Sequence, residues 1–215
     1  MENEILKIPK IKICGITLEE EAEYLNEFNI DYAGFVFYEK SKRNITLKKA
    51  ESIFDKLKKG IKKVAVTVSP TAEQIEMLND SGFDIIQIHK ELDRKILTII
   101  QKPVWRAINI KSKEIPGAGE ADLYRDTAVT GLLADAADFG SGKRFDWDET
   151  DLRLKPGRRW QGMDFILAGG LTKDNVAEGI RIFEPDIVDV SSGVEGETGK
   201  DKNKIREFVS AVRKF

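Results

Sequence analysis

The chain has 215 residues and a net charge of −2, because 35 Lys and Arg side chains nearly balance 37 Asp and Glu side chains. A nucleic-acid binder usually carries a basic excess, so we expect no nucleic-acid partner. One Cys excludes an internal disulfide, and one His excludes a zinc site built from Cys and His. No apolar run approaches the roughly 20 residues that span a bilayer. The N-terminus, MENEILKIPK, is too polar for a signal peptide. We therefore expect a cytoplasmic protein that has no membrane partner.

Short apolar runs alternate with amphipathic segments along the whole chain. The runs cover residues 11–16, 32–37, 64–68, 85–89, 104–110, 131–135, 165–168 and 187–190. Runs that are apolar at nearly every position are typical of strands buried on both faces. Helical spacing of apolar residues marks segments 18–28, 47–57 and 205–215, whereas 115–126 predicts only a short helix.

Two helix starts carry local signals. Thr17-Leu18-Glu19-Glu20 resembles a capping box at the head of the first helix. Ser69 precedes Pro70, which predicts a capping residue followed by a helix-starting proline.

Strands that alternate with helices predict a parallel sheet. Eight units in this length, at about 27 residues each, favour a single (β/α)8 barrel, a closed sheet of eight parallel strands, over an open doubly wound sheet. No Pro- or Gly-rich linker divides the sequence, so we expect one domain over residues 1–215.

In such a barrel, functional residues follow the C-terminal ends of the strands. Cys14 comes near the end of the first run and precedes a Gly, so it is either a nucleophile or base, or a small buried hydrophobe. Asp135 ends the sixth run, where a carboxylate is costly unless it is used or paired. Arg43 follows the second run, and its planar fork suits a carboxylate or a phosphate. Gln87 and His89 lie on one side of the fourth strand, either facing a ligand or forming a structural pair.

Glycines follow the last two strands. Gly169 and Gly170 end the seventh unit, and Ser192 and Gly193 follow the eighth run. Barrels often bind phosphate between these two loops, on uncovered N–H groups, although two ordinary tight turns are the alternative. The segment 140–143 (GSGK) fails the pattern of a phosphate loop because Arg144 stands where Ser or Thr is needed, and we interpret it as a mobile lid.

These segments together resemble the phosphoribosylanthranilate isomerase family. The matching stretches are KICGIT (12–17), AGFVFYEKSKR (33–43), DIIQIH (84–89), LLAD (132–135), GSGKRFDW (140–147), LAGGLTKDNV (167–176) and VDVSSGVEGETGKD (188–201). The resemblance implies a TIM barrel that needs no metal or cofactor. It also implies an Amadori rearrangement of N-(5-phosphoribosyl)anthranilate in tryptophan biosynthesis, and therefore a phosphorylated small-molecule substrate.

The resemblance implies a role for each candidate residue. Cys14 would be the base and Asp135 the acid, and Arg43 would bind the anthranilate carboxylate. The implied phosphate ligands are Gly170, Ser192 and Gly193, beside Gly169, while Gln87, His89 and Asp189 match family positions near the substrate.

The sequence departs from the family at several positions. The family usually has Gly where Lys90 stands and V-F-V-N where residues 66–69 read VTVS. The stretch between Asp135 and Gly140 is short, which leaves Asp138 as an alternative acid; Asp126 precedes the strand and would lie at the wrong end of the barrel.

We expect either a monomer or a homodimer. Two other functions are also compatible with the sequence. One alternative is the sugar isomerase of histidine biosynthesis, or an enzyme serving both pathways, but that type uses Asp at the position of Cys14. The other is a phosphate-binding barrel without catalysis, against which the presence of both Cys14 and Asp135 argues.

Overall fold

Eight parallel strands close into a barrel in the order β1 to β8, as the alternating pattern predicts. The computed structural model describes residues 7–110, 128–136 and 162–215. The strands are β1 (Lys10–Cys14), β2 (Tyr32–Phe37), β3 (Lys62–Val68), β4 (Ile85–His89), β5 (Val104–Ile110), β6 (Val129–Ala136), β7 (Asp164–Leu167) and β8 (Ile187–Val190). The described helices are α1 (Glu19–Glu27), α2 (Leu47–Phe54), α3 (Ala72–Asn79), α4 (Arg94–Ile99), α5 (Val176–Phe183) and α6 (Lys202–Arg213).

The first and last strands complete the barrel. Lys12 of β1 lies opposite Asp189 of β8, and Ile11 lies opposite Val188. Because neighbouring strands run parallel, all their C-terminal ends meet at one end of the barrel. We call this end the mouth.

Alternate residues of each strand face opposite sides of the sheet. Ile13, Phe35 and Ile86 belong to the core between sheet and helices, whereas Cys14 and Trp105 belong to a second cluster inside the barrel. Because side chains alternate with period two, several polar residues also face the barrel interior: Lys12, Gln87, His89, Asp135 and Asp189.

Both predicted helix starts are wrong by one or two residues. The residue preceding α1 is Leu18, and Glu21 closes the helix start by accepting hydrogen bonds from the N–H groups of Thr17 (2.6 Å) and Leu18 (2.9 Å). Thr71, not Ser69, caps α3 by accepting a bond from the N–H of Gln74 at 3.3 Å. Ser69 instead has a φ of 45°, which a capping residue, normally extended, does not adopt.

Of two further helix predictions, one is confirmed and the other cannot be compared with the structure. The apolar stripe of the last helix is confirmed, because Ile205, Phe208, Val209 and Val212 are all buried. The short helix predicted over 115–126 lies outside the described residues. Within the described ranges, no helix combines the length and the apolar character needed to cross a membrane.

Candidate active site

Cys14 ends β1 at the mouth of the barrel. Its backbone carbonyl accepts a hydrogen bond from the Ser191 hydroxyl at 2.8 Å, which ties the end of β1 to the end of β8. The next residue, Gly15, has a φ of 84° and turns the chain out of the strand. The Cys14 residue is 8% exposed, and burial raises the pKa of its thiol although the Lys12 and Lys200 ammonium groups act against this rise. The free protein therefore holds Cys14 as a thiol at neutral pH.

A buried ion pair lies beside the thiol. Lys12 Nζ donates to Asp189 Oδ2 at 2.8 Å, and the two side chains are 0% and 7% exposed. Burial would lower the pKa of Lys12, but its interactions with the Asp189 carboxylate and then with Cys14 outweigh burial and raise that pKa. Asp189 Oδ1 is buried and has no hydrogen-bond partner among the described residues. This oxygen is therefore an available acceptor among the polar side chains inside the barrel.

Arg43 lies directly over the turn after β1. A Cβ placed on Gly15 would approach Arg43 Cδ to 2.5 Å, so the arginine stem occupies the space that this glycine leaves. The Arg43 Nε group donates to Glu195, which also pairs with Lys42 at 2.8 Å and with Lys200 at 3.1 Å. Burial acts to raise the pKa of Glu195, but these cations lower it to about 2. The loop after β2 is thus held against the loop after β8.

Gln87 and His89 form a pair on β4. Their Nε2 atoms lie 2.7 Å apart, and both residues are buried inside the barrel. Burial, followed by the charges of Lys12 and Arg106, lowers the pKa of His89 to about 3, so its Nε2 is a neutral acceptor for the Gln87 amide. The predicted pair exists, while its contact with a substrate stays a prediction.

The loops after β7 and β8 touch each other through their backbones. A Cβ on Gly193 would lie 2.0 Å from the Leu171 carbonyl oxygen, so only glycine permits this approach. Gly169 and Gly170 have φ values of 83° and 64°. The N–H groups of Gly170 and Gly193 donate to no acceptor within the described part of the chain. They lie in the two neighbouring loops together with Ser192, which opens a short 3-10 helix.

Asp135 lies near the end of β6, opposite Asn109 of β5. Leu133 faces the barrel interior, and Asp135 lies two residues on, so period two places it on the same face. The alternative acids Asp126 and Asp138, and the predicted lid at 140–143, lie outside the described residues.

Three charged residues at the site were missed by the sequence analysis: Lys12, Glu195 and Lys200. Lys12 carried a usable signal, because a charged residue between two Ile residues in a buried run needs a partner or a function. Glu195 carried none, since Lys42 and Arg43, with which it pairs, lie in the loop after β2. Lys200 carried none either, because it pairs with Glu195 within a charged loop that has no recognisable ion-pair motif.

The chain is similar to proteins of one family over nearly its whole length. A sequence profile described as N-(5'-phosphoribosyl)anthranilate (PRA) isomerase matches residues 11–211. The N-(5'-phosphoribosyl)anthranilate isomerase of Streptococcus mutans is 39% identical over 208 residues, covering 95% of this chain and 99% of that protein.

Solved structures agree with this relationship. The phosphoribosyl anthranilate isomerase of Thermotoga maritima superposes with a TM-score of 0.81 at 30% identity, covering 96% of this chain and all of that one. A second structure of such an isomerase, in complex with reduced 1-(o-carboxyphenylamino)-1-deoxyribulose 5-phosphate, gives 0.79 at 31% identity over 96% and 100% of the two chains. The chain therefore belongs to the N-(5'-phosphoribosyl)anthranilate isomerase family and is an isomerase of tryptophan biosynthesis.

Proposed function

We propose that this isomerase converts N-(5-phosphoribosyl)anthranilate to 1-(2-carboxyphenylamino)-1-deoxyribulose 5-phosphate with Asp135 as the acid and Cys14 as the base. The observation that carries the proposal is the position of Cys14. It ends β1 at the mouth, beside the buried Lys12–Asp189 pair and next to the turn that Arg43 covers. A cysteine that only filled a core would not need two buried charges next to it.

The reaction requires an acid and a base in sequence. The acid gives a proton to the furanose ring oxygen, the bond from that oxygen to carbon 1 breaks, and the anilino nitrogen supplies the electrons that form an iminium. The thiolate of Cys14 then takes the proton from carbon 2, and the electrons of that bond neutralise the iminium to give an enamine. Tautomerisation of the enamine gives the ketose. Water carries the proton from the Cys14 thiol to the Asp135 carboxylate, which restores both the base and the acid.

Arg43 would bind the anthranilate carboxylate. Its Nε group is held by Glu195, and a guanidinium carries further donors on its outer edge. A bidentate contact with the carboxylate would orient the aromatic ring at the side of the mouth formed by β1 and β2.

The phosphate would bind in the cleft between the loops after β7 and β8. Support comes from the N–H groups of Gly170 and Gly193, which lack an acceptor in the described ranges, and from the close approach of the two loops. Ser192 is exposed and adds a hydroxyl donor at the same cleft. Asp189 Oδ1 would accept a bond from a sugar hydroxyl, below the reacting carbon atoms.

The test is steady-state kinetics that follow the loss of phosphoribosylanthranilate fluorescence. Cys14→Ala and Asp135→Asn should each lower turnover at least about a hundredfold, the typical contribution of a positioned acid or base, while substrate binding is retained. Asp138→Asn is the matched control and should stay within about threefold. Near-normal turnover of a folded Cys14→Ala protein would show that Cys14 is only a buried structural residue. A greater loss of turnover in Asp138→Asn than in Asp135→Asn would show that Asp138 is the acid.

Three further properties stay predictions. The site residues need no metal or cofactor for this chemistry, which chelation during the same assay will check. The assembly is expected to be a monomer or a homodimer, and sedimentation equilibrium distinguishes these. A cytoplasmic location is expected from the sequence.

A further inference from the structure

Lys12 is a fully buried lysine whose charge the reaction above does not use. It lies on β1 two residues before Cys14, so both side chains face the barrel interior. A Cβ placed on Gly34 would lie 2.9 Å from Cys14 Sγ and 3.2 Å from Lys12 Cε. The lysine stem and the thiol therefore converge on the same glycine of β2.

The Lys12 side chain has an anionic partner, Asp189, and lies close to the Cys14 sulfur. Its bond to Asp189 is 2.8 Å long, and the lysine stem lies beside the Cys14 sulfur at Gly34, so its positive charge attracts a thiolate there. Water is largely excluded here, because Lys12 is 0% and Cys14 8% exposed, so the attraction between the two groups is weakly screened.

Other charged groups face Cys14 from neighbouring elements. Lys200 attracts the thiolate, but its Nζ is bonded to Glu195 at 3.1 Å and to the Ser191 carbonyl at 3.2 Å. Asp189 repels the thiolate, and Arg43 covers the adjacent turn. Of the two lysines, only Lys12 has its stem beside the Cys14 sulfur at Gly34.

We propose that Lys12 is a positioning residue for the base, and that its ammonium group, anchored by Asp189, stabilises the Cys14 thiolate that removes the proton from carbon 2. The inference rests on the proposed role of Cys14. Lys12 does not touch the reacting atoms; it acts through Cys14.

The chain contains one Cys, so the rate of alkylation by iodoacetamide reports Cys14 alone. The experiment measures the pH at which the alkylation rate reaches half of its plateau, and it needs no substrate. Asp189→Asn removes the repelling charge and should lower this midpoint by about one pH unit. At a fixed pH below the midpoint, the alkylation rate should then rise about tenfold. Lys12→Met/Asp189→Asn removes both charges without leaving either unpaired, and its midpoint should lie at least about one unit above that of Asp189→Asn.

The matched control is Lys10→Gln, which removes a positive charge from the same strand at its far, exposed end. It should leave the midpoint unchanged. A general loosening of the site would expose the thiol and speed alkylation in both Asp189 variants without separating their midpoints. Equal midpoints for Asp189→Asn and the double variant would overturn the proposal, even if Cys14→Ala had shown that Cys14 is the base. Conversely, an active Cys14→Ala protein would refute the base itself whatever the midpoints.

Discussion

His89 lies inside the barrel with 7% of its surface exposed, and burial lowers the pKa of its imidazole to about 3. The positive charges of Lys12 and Arg106 act in the same direction. An imidazole that stays neutral accepts a hydrogen bond from Gln87 and adds no third positive charge to the pocket. A neutral His89 thus preserves the charge balance around Lys12 and Cys14.

We expect His89 to remain neutral from about pH 8 to pH 5 in the folded protein. Because the chain has one His, NMR of the imidazole gives a single set of signals. The pKa of His89 in the folded protein lies below its unfolded value near 6.5. The contribution of neutral His89 to the free energy of unfolding is therefore fully present above pH 6.5 and is lost as the pH falls toward 3. The loss amounts to about 5 kcal/mol at most. Between pH 6.5 and pH 5 carboxylates hardly titrate, so His89 should cause most of the fall in the free energy of unfolding. The His89→Gln variant should not show this fall. An imidazole that titrates near pH 6.5 in the folded protein would contradict the prediction.

At the scale of an element, turns that carry family departures have unusual backbone angles. Lys90 follows β4 with a φ of 57°, and Ser69 follows β3 with a φ of 45°. Gly and Asn are the residues that most readily take this left-handed conformation. The family's usual Gly and Asn at these two positions therefore have a physical reason, and this chain keeps the turns with less suitable residues.

Lys90→Gly should stabilise the protein by about 0.5–1 kcal/mol. The left-handed conformation costs a residue with a side chain about 1–2 kcal/mol, and part of this gain is offset by the greater freedom of Gly in the unfolded chain. Urea unfolding measures the difference. Lys40→Gly is the matched control, because Lys40 is an exposed turn residue that does not have a positive φ, and it should be neutral or destabilising. Equal effects of the two substitutions would show that the φ of Lys90 stores no strain.

The paired loops after β7 and β8 give a second prediction at this scale. Gly193→Ala places a Cβ 2.0 Å from the Leu171 carbonyl oxygen and must push the loops apart. We expect at least a roughly tenfold higher KM and a similar loss of affinity for inorganic phosphate, measured by calorimetry. Gly196→Ala is the control in the same loop, since its nearest neighbour would lie at an ordinary 3.5 Å. If Gly193→Ala bound phosphate as tightly as the wild type, the phosphate site would not lie between these two loops.

At the scale of the whole molecule, the two ends of the chain are joined. β1 pairs with β8, α1 packs against α6, and Glu21 accepts a hydrogen bond from the N–H of Lys200 at 2.6 Å. Residues that carry the chemistry come from both ends, so the site forms only when the barrel closes.

We therefore expect residues 1–215 to unfold as one cooperative unit. Tryptophan fluorescence, to which the buried Trp105 contributes, and far-UV circular dichroism should give coincident urea transitions. Phe208→Ala in α6 should lower the stability reported by both probes by about 3–5 kcal/mol. Separate transitions, or a loss seen by only one probe, would indicate two independent units.

The sequence by itself determined the number and order of the strands. The bounds of β2, β4, β5 and β8 match the apolar runs because a strand buried on both faces is encoded by its own residues. The same local reasoning placed Cys14 and Asp135 at strand ends and placed glycines in the last two loops.

Only the tertiary structure decided which charges meet. Lys12 pairs with Asp189, 177 residues away, and Arg43 with Glu195, 152 residues away, because barrel closure and loop packing bring them together. The direction of the Cys14 pKa shift depended on burial that local sequence does not specify, and the start of α1 depended on which of three consecutive glutamates reached the free N–H groups. Periodicity reports what each segment buries, whereas contacts between distant segments depend on how the whole chain closes.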